Sequence, residues 1–413
     1  SEQDYELPEN VERIIVPDCT RIKKDNYRVR AAALHRIIKE YDIDLLVYHA
    51  WVLNLMLWDE ITIKVSGAAF VAHCHNVFSL GILRAWENFR NVISPYILAD
   101  SVVALSKADQ AFWKYYNNNV FQVINPFTDK LDEWAIAQGN NHDILWLGRL
   151  SNEKRPTDAL YILKHVKEQV NDAKLHIVGD NKDPQFMNDL RSKINELNLQ
   201  DSIVLHGFHK DVKPFYQEAS VFLVTSEYEG YLLTLQESKL AGVPCVAYEM
   251  PYLTLCKGNR GMISVGQRDI EGAAQAIIRL LTDDDEWRRY ANDARNHIEE
   301  LFSYDFCGTW KSIIDSVTLD HRCAVSEDER IMMETLMYHY DMGYKLKKKR
   351  IDTVTTNIKN GVQGHSGEAK KIGILVKGIG RRVIPNRLKP FVKKQLLRIP
   401  HNTKIAIKQM IHW

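Results

Sequence analysis

"SVFLVTSEYEGYLLTLQESKLAGVPCVAYE", residues 220–249, reads as a strand, a loop, a helix and a second strand. The apolar run 220–225 is short and ends at a polar loop. A helix fits "LTLQESKLAG", with Gly242 and Pro244 as its stop signals. "PCVAYE" (244–249) then returns as a strand. Runs this apolar suit strands covered on both faces. A strand–helix–strand unit of this kind builds a parallel sheet.

The same rhythm extends in both directions. Upstream, "DILWLG" (143–148), "KLHIVG" (174–179) and "SIVLHG" (202–207) are strand candidates, and "GMISV" (261–265) follows downstream. Between the first two, Leu160, Leu163, Val166 and Val170 fall at helical spacing. Nearer the start, "DLLVYH" (44–49), "AAFVAH" (68–73), "SVVALS" (101–106) and "VFQVI" (120–124) repeat the theme, with a helix over 27–41. The reading is α/β: two Rossmann-like, doubly wound parallel-sheet domains over residues 1–137 and 138–320, joined near 127–142. A basic extension follows over 321–413. The first domain offers four strands where such domains usually have more, so its front is expected to be incomplete.

Composition narrows the class. Of 413 residues, 45% are hydrophobic and 26% charged, as in ordinary globular proteins. The six cysteines are scattered without a C-x-x-C pair, which suits reduced thiols rather than a disulfide framework or zinc module. With no charged n-region and apolar h-region in "SEQDYELPEN", no signal peptide is expected. The most apolar region, "LLVYHAWVLNLMLW" (45–58), is too short to span a bilayer. The net charge of +1 hides an asymmetry: residues 345–413 hold 18 lysines and arginines against two acids. Within them, 371–399 mix basic with apolar residues, as membrane-surface helices do. Each basic residue near an anionic leaflet contributes about 1 kcal/mol. A peripheral place on the inner face of a cell membrane, in the cytoplasm, is expected, with packing on the acidic body or a protein partner as the alternative. Few aromatic residues accompany these charges, so no nucleic-acid partner is expected.

The candidate site lies in the opening stretch. Glu229 and Gly230 sit in the loop after a strand, and Tyr231, Leu232 and Leu233 lead into the helix that carries Glu237. Ligands of doubly wound sheets bind beyond the carboxyl ends of strands. A helix N-terminus there offers free amides and a positive dipole end to a phosphate. Two carboxylates flanking such a site can hold hydroxyls on either side of a diphosphate. The plainer alternative is a loop charge and a solvated helix charge. A second loop, "LGRLSNEKRP" (147–156), brings Gly148, Arg149 and Lys154 to another strand end. Two fixed cations can neutralise a departing diphosphate.

Together these segments resemble the retaining glycosyltransferase family 4, of the GT-B type with two Rossmann-like domains facing a cleft. The family's marks are Glu, seven residues, Glu (here Glu229 to Glu237), then Gly-x-Pro in "LAGVPCVAY", and G-R-L followed by E-K, here Gly148 to Leu150 and Glu153-Lys154. The resemblance implies roles. Arg149, Lys154 and Gly148 would bind the donor diphosphate, with the backbone of Gly230 to Leu233. Glu237 would hold the ribose, and Glu229 would orient the donor sugar. His75, in "FVAHCHNVF" (70–78), would stand near the donor sugar and acceptor, ahead of His73. "VINPF" (123–127) is similar to the family's interdomain segment. Two departures stand out. Leu232 occupies a place where the family usually has glycine, so its side chain could narrow the donor pocket. The family's glycine-rich loop after its first strand has no counterpart.

The expected reaction is retaining transfer of a hexose from a UDP- or GDP-linked donor to a saccharide or lipid-linked hydroxyl, as in capsule or other polysaccharide assembly. No cofactor or metal is expected. His73-Cys74-His75 supplies only part of a ligand set, and the acids of "TDDDEW" (282–287) suit a helix start. A non-catalytic partner subunit of the same fold and a nucleotide-sugar epimerase are the alternatives. A phosphorylase would need a pyridoxal-phosphate lysine motif, which is not found.

Overall fold

A computed structural model of the chain describes residues 7–17, 26–49, 55–78, 89–127, 129–181, 183–318 and 331. The basic extension over 321–413, whose stretch 327–350 reads as a helix in the sequence, lies outside the described residues, apart from 331. Among the described residues, no helix is long and apolar enough to cross a membrane.

Two parallel sheets carry the fold. The first runs β1 (Leu45–Tyr48), β2 (Ala69–Cys74), β3 (Ser101–Ala104) and β4 (Val120–Gln122) in sequence order. Helices α1 (Asn26–Glu40), α2 (Met56–Val65), α3 (Phe89–Leu98) and α4 (Lys107–Trp113) belong to this half. Ser106 caps α4 by accepting from the Asp109 amide. Strand alternation divides the side chains between two cores. Phe70, Ala72, Cys74, Val102 and Ala104 pack with α2 and α3 residues on one face. Val71 and Val103 face the other way.

The second sheet has the order β10-β9-β8-β5-β6-β7, all parallel. Its strands are β5 (Asp143–Leu147), β6 (Lys174–Val178), β7 (Ile203–Gly207), β8 (Val221–Val224), β9 (Cys245–Tyr248) and β10 (Met262–Val265). The connecting helices are α5 (Pro156–Val166), α6 (Pro184–Glu196), α7 (Lys213–Glu218), α8 (Leu233–Leu240), α9 (Ile270–Thr282) and α10 (Asp284–Phe302). Leu160, Leu163, Val166 and Val170 are all buried, as their spacing requires. α9 packs on α5, while α8 packs against α7 and α10. The acids of "TDDDEW" begin α10: Asp283 accepts from the amides of Asp285 and Glu286.

One helix departs from the expected division of the chain. α11 (Phe306–Thr318) falls within 138–320, yet it returns to the first sheet. Ile313 and Val317 pack on Val71, Val103 and Val123, with Trp310 beside them. The reason is hydrophobic: this sheet face is apolar, and α11 covers it. Tyr304 hydroxyl donates to the Gln122 carbonyl at 3.1 Å, just ahead of the helix.

α8 is anchored from beneath by a buried charge. Lys239 is fully buried, and its ammonium donates to the Leu255 carbonyl at 3.1 Å and to His297 Nδ1 at 2.7 Å. Burial pushes Lys239 down to about 8. Burial, and then the adjacent Lys239, push His297 on α10 down to about 4. A histidine that folds neutral binds fewer protons than its unfolded counterpart. Its contribution is present above 6.5, the ordinary value, and is lost as pH falls toward 4. The loss amounts to roughly 3 kcal/mol at most. His297→Gln should therefore flatten the acid limb of stability between those values, read by thermal unfolding across pH. An unchanged limb would remove His297 as its source.

Candidate active site

The strand order sets the place. The chain builds outward from β5 to β7, then returns beside β5 as β8 and builds the other way. A crevice opens where the direction reverses, beyond the carboxyl ends of β5 and β8. The loop after β5 (148–155) and the loop after β8 (225–232) flank it.

Backbone and side chains join these loops. Thr225 hydroxyl reaches the carbonyls of Lys154 at 2.7 Å and Arg155 at 2.9 Å, and accepts from Trp146 Nε1 at 2.9 Å. The Glu227 amide donates to the Glu153 carbonyl at 2.7 Å. Arg155 pairs with Glu227 at 3.1 Å. Lys154 and Glu229 form a mostly buried ion pair between the loops, their side chains 19% and 12% exposed. The Glu229 amide donates to the Tyr252 hydroxyl at 3.1 Å. Arg149 shares the Lys154 loop but is exposed, donating to Glu153 at 3.0 Å.

Glu237 lies a turn inside α8 and is half-buried. Its carboxylate accepts from the Tyr216 hydroxyl at 2.9 Å, which also reaches the Thr234 carbonyl at 2.9 Å. Burial pushes the Glu237 carboxyl up, opposed by that hydrogen bond. Neither glutamate is a freely solvated surface charge. Leu233 is exposed at the start of α8, whereas Tyr231 and Leu232 are buried.

Leu232 explains its own oddity. It adopts a left-handed backbone, φ 71°, immediately before α8. That conformation favours glycine, and a leucine there is strained. Its side chain, which could have narrowed the pocket, is buried in the hydrophobic core of the second domain. Burial is what holds the strained residue in place. Gly230 answers a different need. A Cβ there would stand 2.2 Å from the His75 carbonyl oxygen, so the β8 loop meets the first domain backbone to backbone. Gly148 and Gly179 meet in the same way: a Cβ on Gly179, φ 141°, would stand 1.9 Å from the Gly148 carbonyl.

His75 therefore stands opposite the β8 loop, at the end of β2. Its Nε2 lies 2.8 Å from His49 Nδ1, beyond the end of β1. Burial and then His49 push His75 below the usual imidazole range. His73 is buried and pushed down to about 3, first by burial and then by His75 and His49. The structure thus brings Lys154 to Glu229 and Gly230 to His75, leaves Arg149 at the surface, and seats Glu237 on Tyr216. Sequence reasoning passed over Thr225, Tyr252, Tyr216 and Gly179. For Gly179 there was a signal, a glycine closing a strand. The others are joined by contacts between residues distant in the chain.

Two substitutions test this geometry. Gly230→Ala should force His75 and Asn76 backbone away, lowering the thermal midpoint; an unchanged midpoint would deny the close approach. Leu232→Gly relieves strain of about 1–2 kcal/mol. It also removes a buried side chain, and truncating such a leucine even to alanine costs about 2–5 kcal/mol. Net destabilisation is expected in chemical unfolding, and a stabilised variant would show that strain dominates.

Known proteins share both halves of this picture. Residues 141–283 match the family model described as glycosyl transferases group 1. An uncharacterized glycosyltransferase of Haemophilus influenzae is 22% identical over 71% of this chain and 82% of its own length. The alpha-monoglucosyldiacylglycerol synthase of Streptococcus pneumoniae is 30% identical, over 34% of this chain and 32% of its own. Among solved structures, Anabaena HepE in complex with UDP superposes with a TM-score of 0.59 at 18% identity, over 70% of this chain and 81% of that one. The fold of the chain is GT-B, and residues 141–283 match the group 1 glycosyltransferase domain.

Proposed function

We propose that the chain transfers a sugar from a nucleotide-sugar donor to a hydroxyl of a saccharide or lipid-linked acceptor, with retention at the anomeric carbon. The observation that carries this reading is the Lys154–Glu229 ion pair at the sheet's reversal point, within the group 1 domain. A donor diphosphate takes Lys154 as its cation. Glu229 is then released toward the donor sugar. Exposed Arg149 folds over the same phosphates, and the amides opening α8 complete the cradle. Glu237 accepts from the ribose hydroxyls at the other end.

Leaving-group stabilisation carries most of the catalytic burden. As the glycosidic bond breaks, charge builds on the diphosphate, where Lys154, Arg149 and the helix N-terminus would offset it. The leaving phosphate takes the acceptor proton, so no separate strong base and no metal at the diphosphate is required. His75, on the opposite wall, orients the donor sugar and acceptor. A UDP-linked donor is favoured because HepE, of the same fold, is solved in complex with UDP. A lipid-linked acceptor is supported by the pneumococcal relative, named for a glucosylated diacylglycerol. The basic residues 345–413 would hold the protein at an anionic membrane surface from the cytoplasmic side.

Calorimetric titration with UDP, GDP, ADP and their sugars tests the donor site. Micromolar binding of UDP is expected, weakened at least about tenfold by Arg149→Ala, Lys154→Ala and Glu237→Ala, the loss of a good charged contact. Binding that all three substitutions leave unchanged would sink the assignment. Binding without sugar transfer to membrane lipid extracts would favour a non-catalytic subunit.

A further inference from the structure

Parallel pairing aligns β1 and β2 so that Leu45 stands beside Ala69 and Val47 beside Val71. Side chains alternate between sheet faces along a strand. Leu45, Val47 and then His49 therefore follow one face, as do Ala69, Val71, His73 and His75. This is the face that α11 covers. Two adjacent strands each run off their carboxyl end into histidine, on the same side.

The result is a cluster of three imidazoles. Ring centroids lie 4.9 Å apart for His49 and His73, 5.1 Å for His49 and His75, and 4.1 Å for His73 and His75. One ring nitrogen from each lies within 4.8 Å of the other two. Trp310 of α11 closes one side, edge-on to His73 at 5.6 Å. His73 is only 5% exposed, yet neither of its ring nitrogens has a hydrogen-bond partner among the described residues. A buried imidazole ordinarily finds one. Here its orphaned nitrogens sit beside two further imidazoles.

We infer that His49, His73 and His75 form a binding site for a divalent transition-metal ion, of which Zn2+ is the probe. Three neutral imidazoles and an open fourth position are the donor set of a tetrahedral zinc site. With bonds of about 2.0–2.1 Å, the three nitrogens would stand about 3.3 Å from one another. To reach that spacing from 2.8 Å, His49 and His75 would part slightly, and His73 would draw in from within 4.8 Å. An all-nitrogen set selects zinc, nickel or copper over magnesium and calcium, which take oxygen. The expectation from His73-Cys74-His75 alone was an incomplete ligand set. His49, distant in sequence, supplies the third member. Cys74 faces the opposite core and takes no part.

The site shares His75 with the proposed transferase site, but its test is independent of that reading, because metal uptake is measured without donor or acceptor. The test uses the full chain, stripped with a chelator and titrated calorimetrically with ZnCl2 and, as a control, MgCl2. X-ray absorption at the zinc edge then counts the imidazole ligands. One zinc per chain held by three imidazoles is expected, with no response to magnesium. His49→Gln and His75→Gln alter exposed residues, so folding should persist, as circular dichroism would verify. Each should weaken zinc binding by at least about 100-fold, at or above the cost of losing an outer-shell partner. His73→Phe keeps the buried volume and should act alike. Absence of uptake, or binding that all three variants leave intact, would overturn the assignment.

Discussion

The ion pair between Lys154 and Glu229 is the constraint on which the site depends. Two charges drawn from water together are tolerable only while both are present and well oriented. Each therefore holds the other's loop in place. The support lies below them, where Thr225 joins the carbonyls of the β5 loop and Arg155 bonds Glu227. The sheet's reversal between β5 and β8 is what brings the two loops side by side. Lys239 performs a comparable service under α8, with a buried ammonium shared among carbonyl and imidazole partners.

The opposite wall is built on a different economy of space. Gly230 lets one backbone reach another, so no side chain separates the β8 loop from His75. Behind that contact the histidines follow from strand alternation rather than from any local motif. The two walls thus combine a charged, hydrogen-bonded side with one of neutral imidazoles, each set at the carboxyl ends of a parallel sheet.

Much of the architecture was legible because parallel strands are nearly all apolar and helices carry a clear period. The runs at 143–148, 174–179, 202–207, 220–225, 244–249 and 261–265 each contain an observed strand. The spacing of Glu229 and Glu237 pointed to a pocket, but spacing could not reveal that Tyr216 binds Glu237 or that Arg149 faces solvent. Those facts depend on contacts across distant parts of the chain. Leu232 illustrates the limit well. Its departure from glycine suggested a narrowed pocket, while its backbone turn sends the side chain into the core. The extent of the second domain was misread in one place, since nothing local in residues 306–318 says which sheet they cover.

That last helix has a mechanical consequence. The chain leaves the first sheet after β4, builds the second, and comes back as α11. The two lobes are thus tied by two covalent crossings instead of one. A body hung on a single tether can swivel freely. With a second tether, twisting is restrained and bending about the line through both crossings remains. Any opening of the cleft would then resemble a door on two hinges, and the same edge would meet the same frame each time it shut.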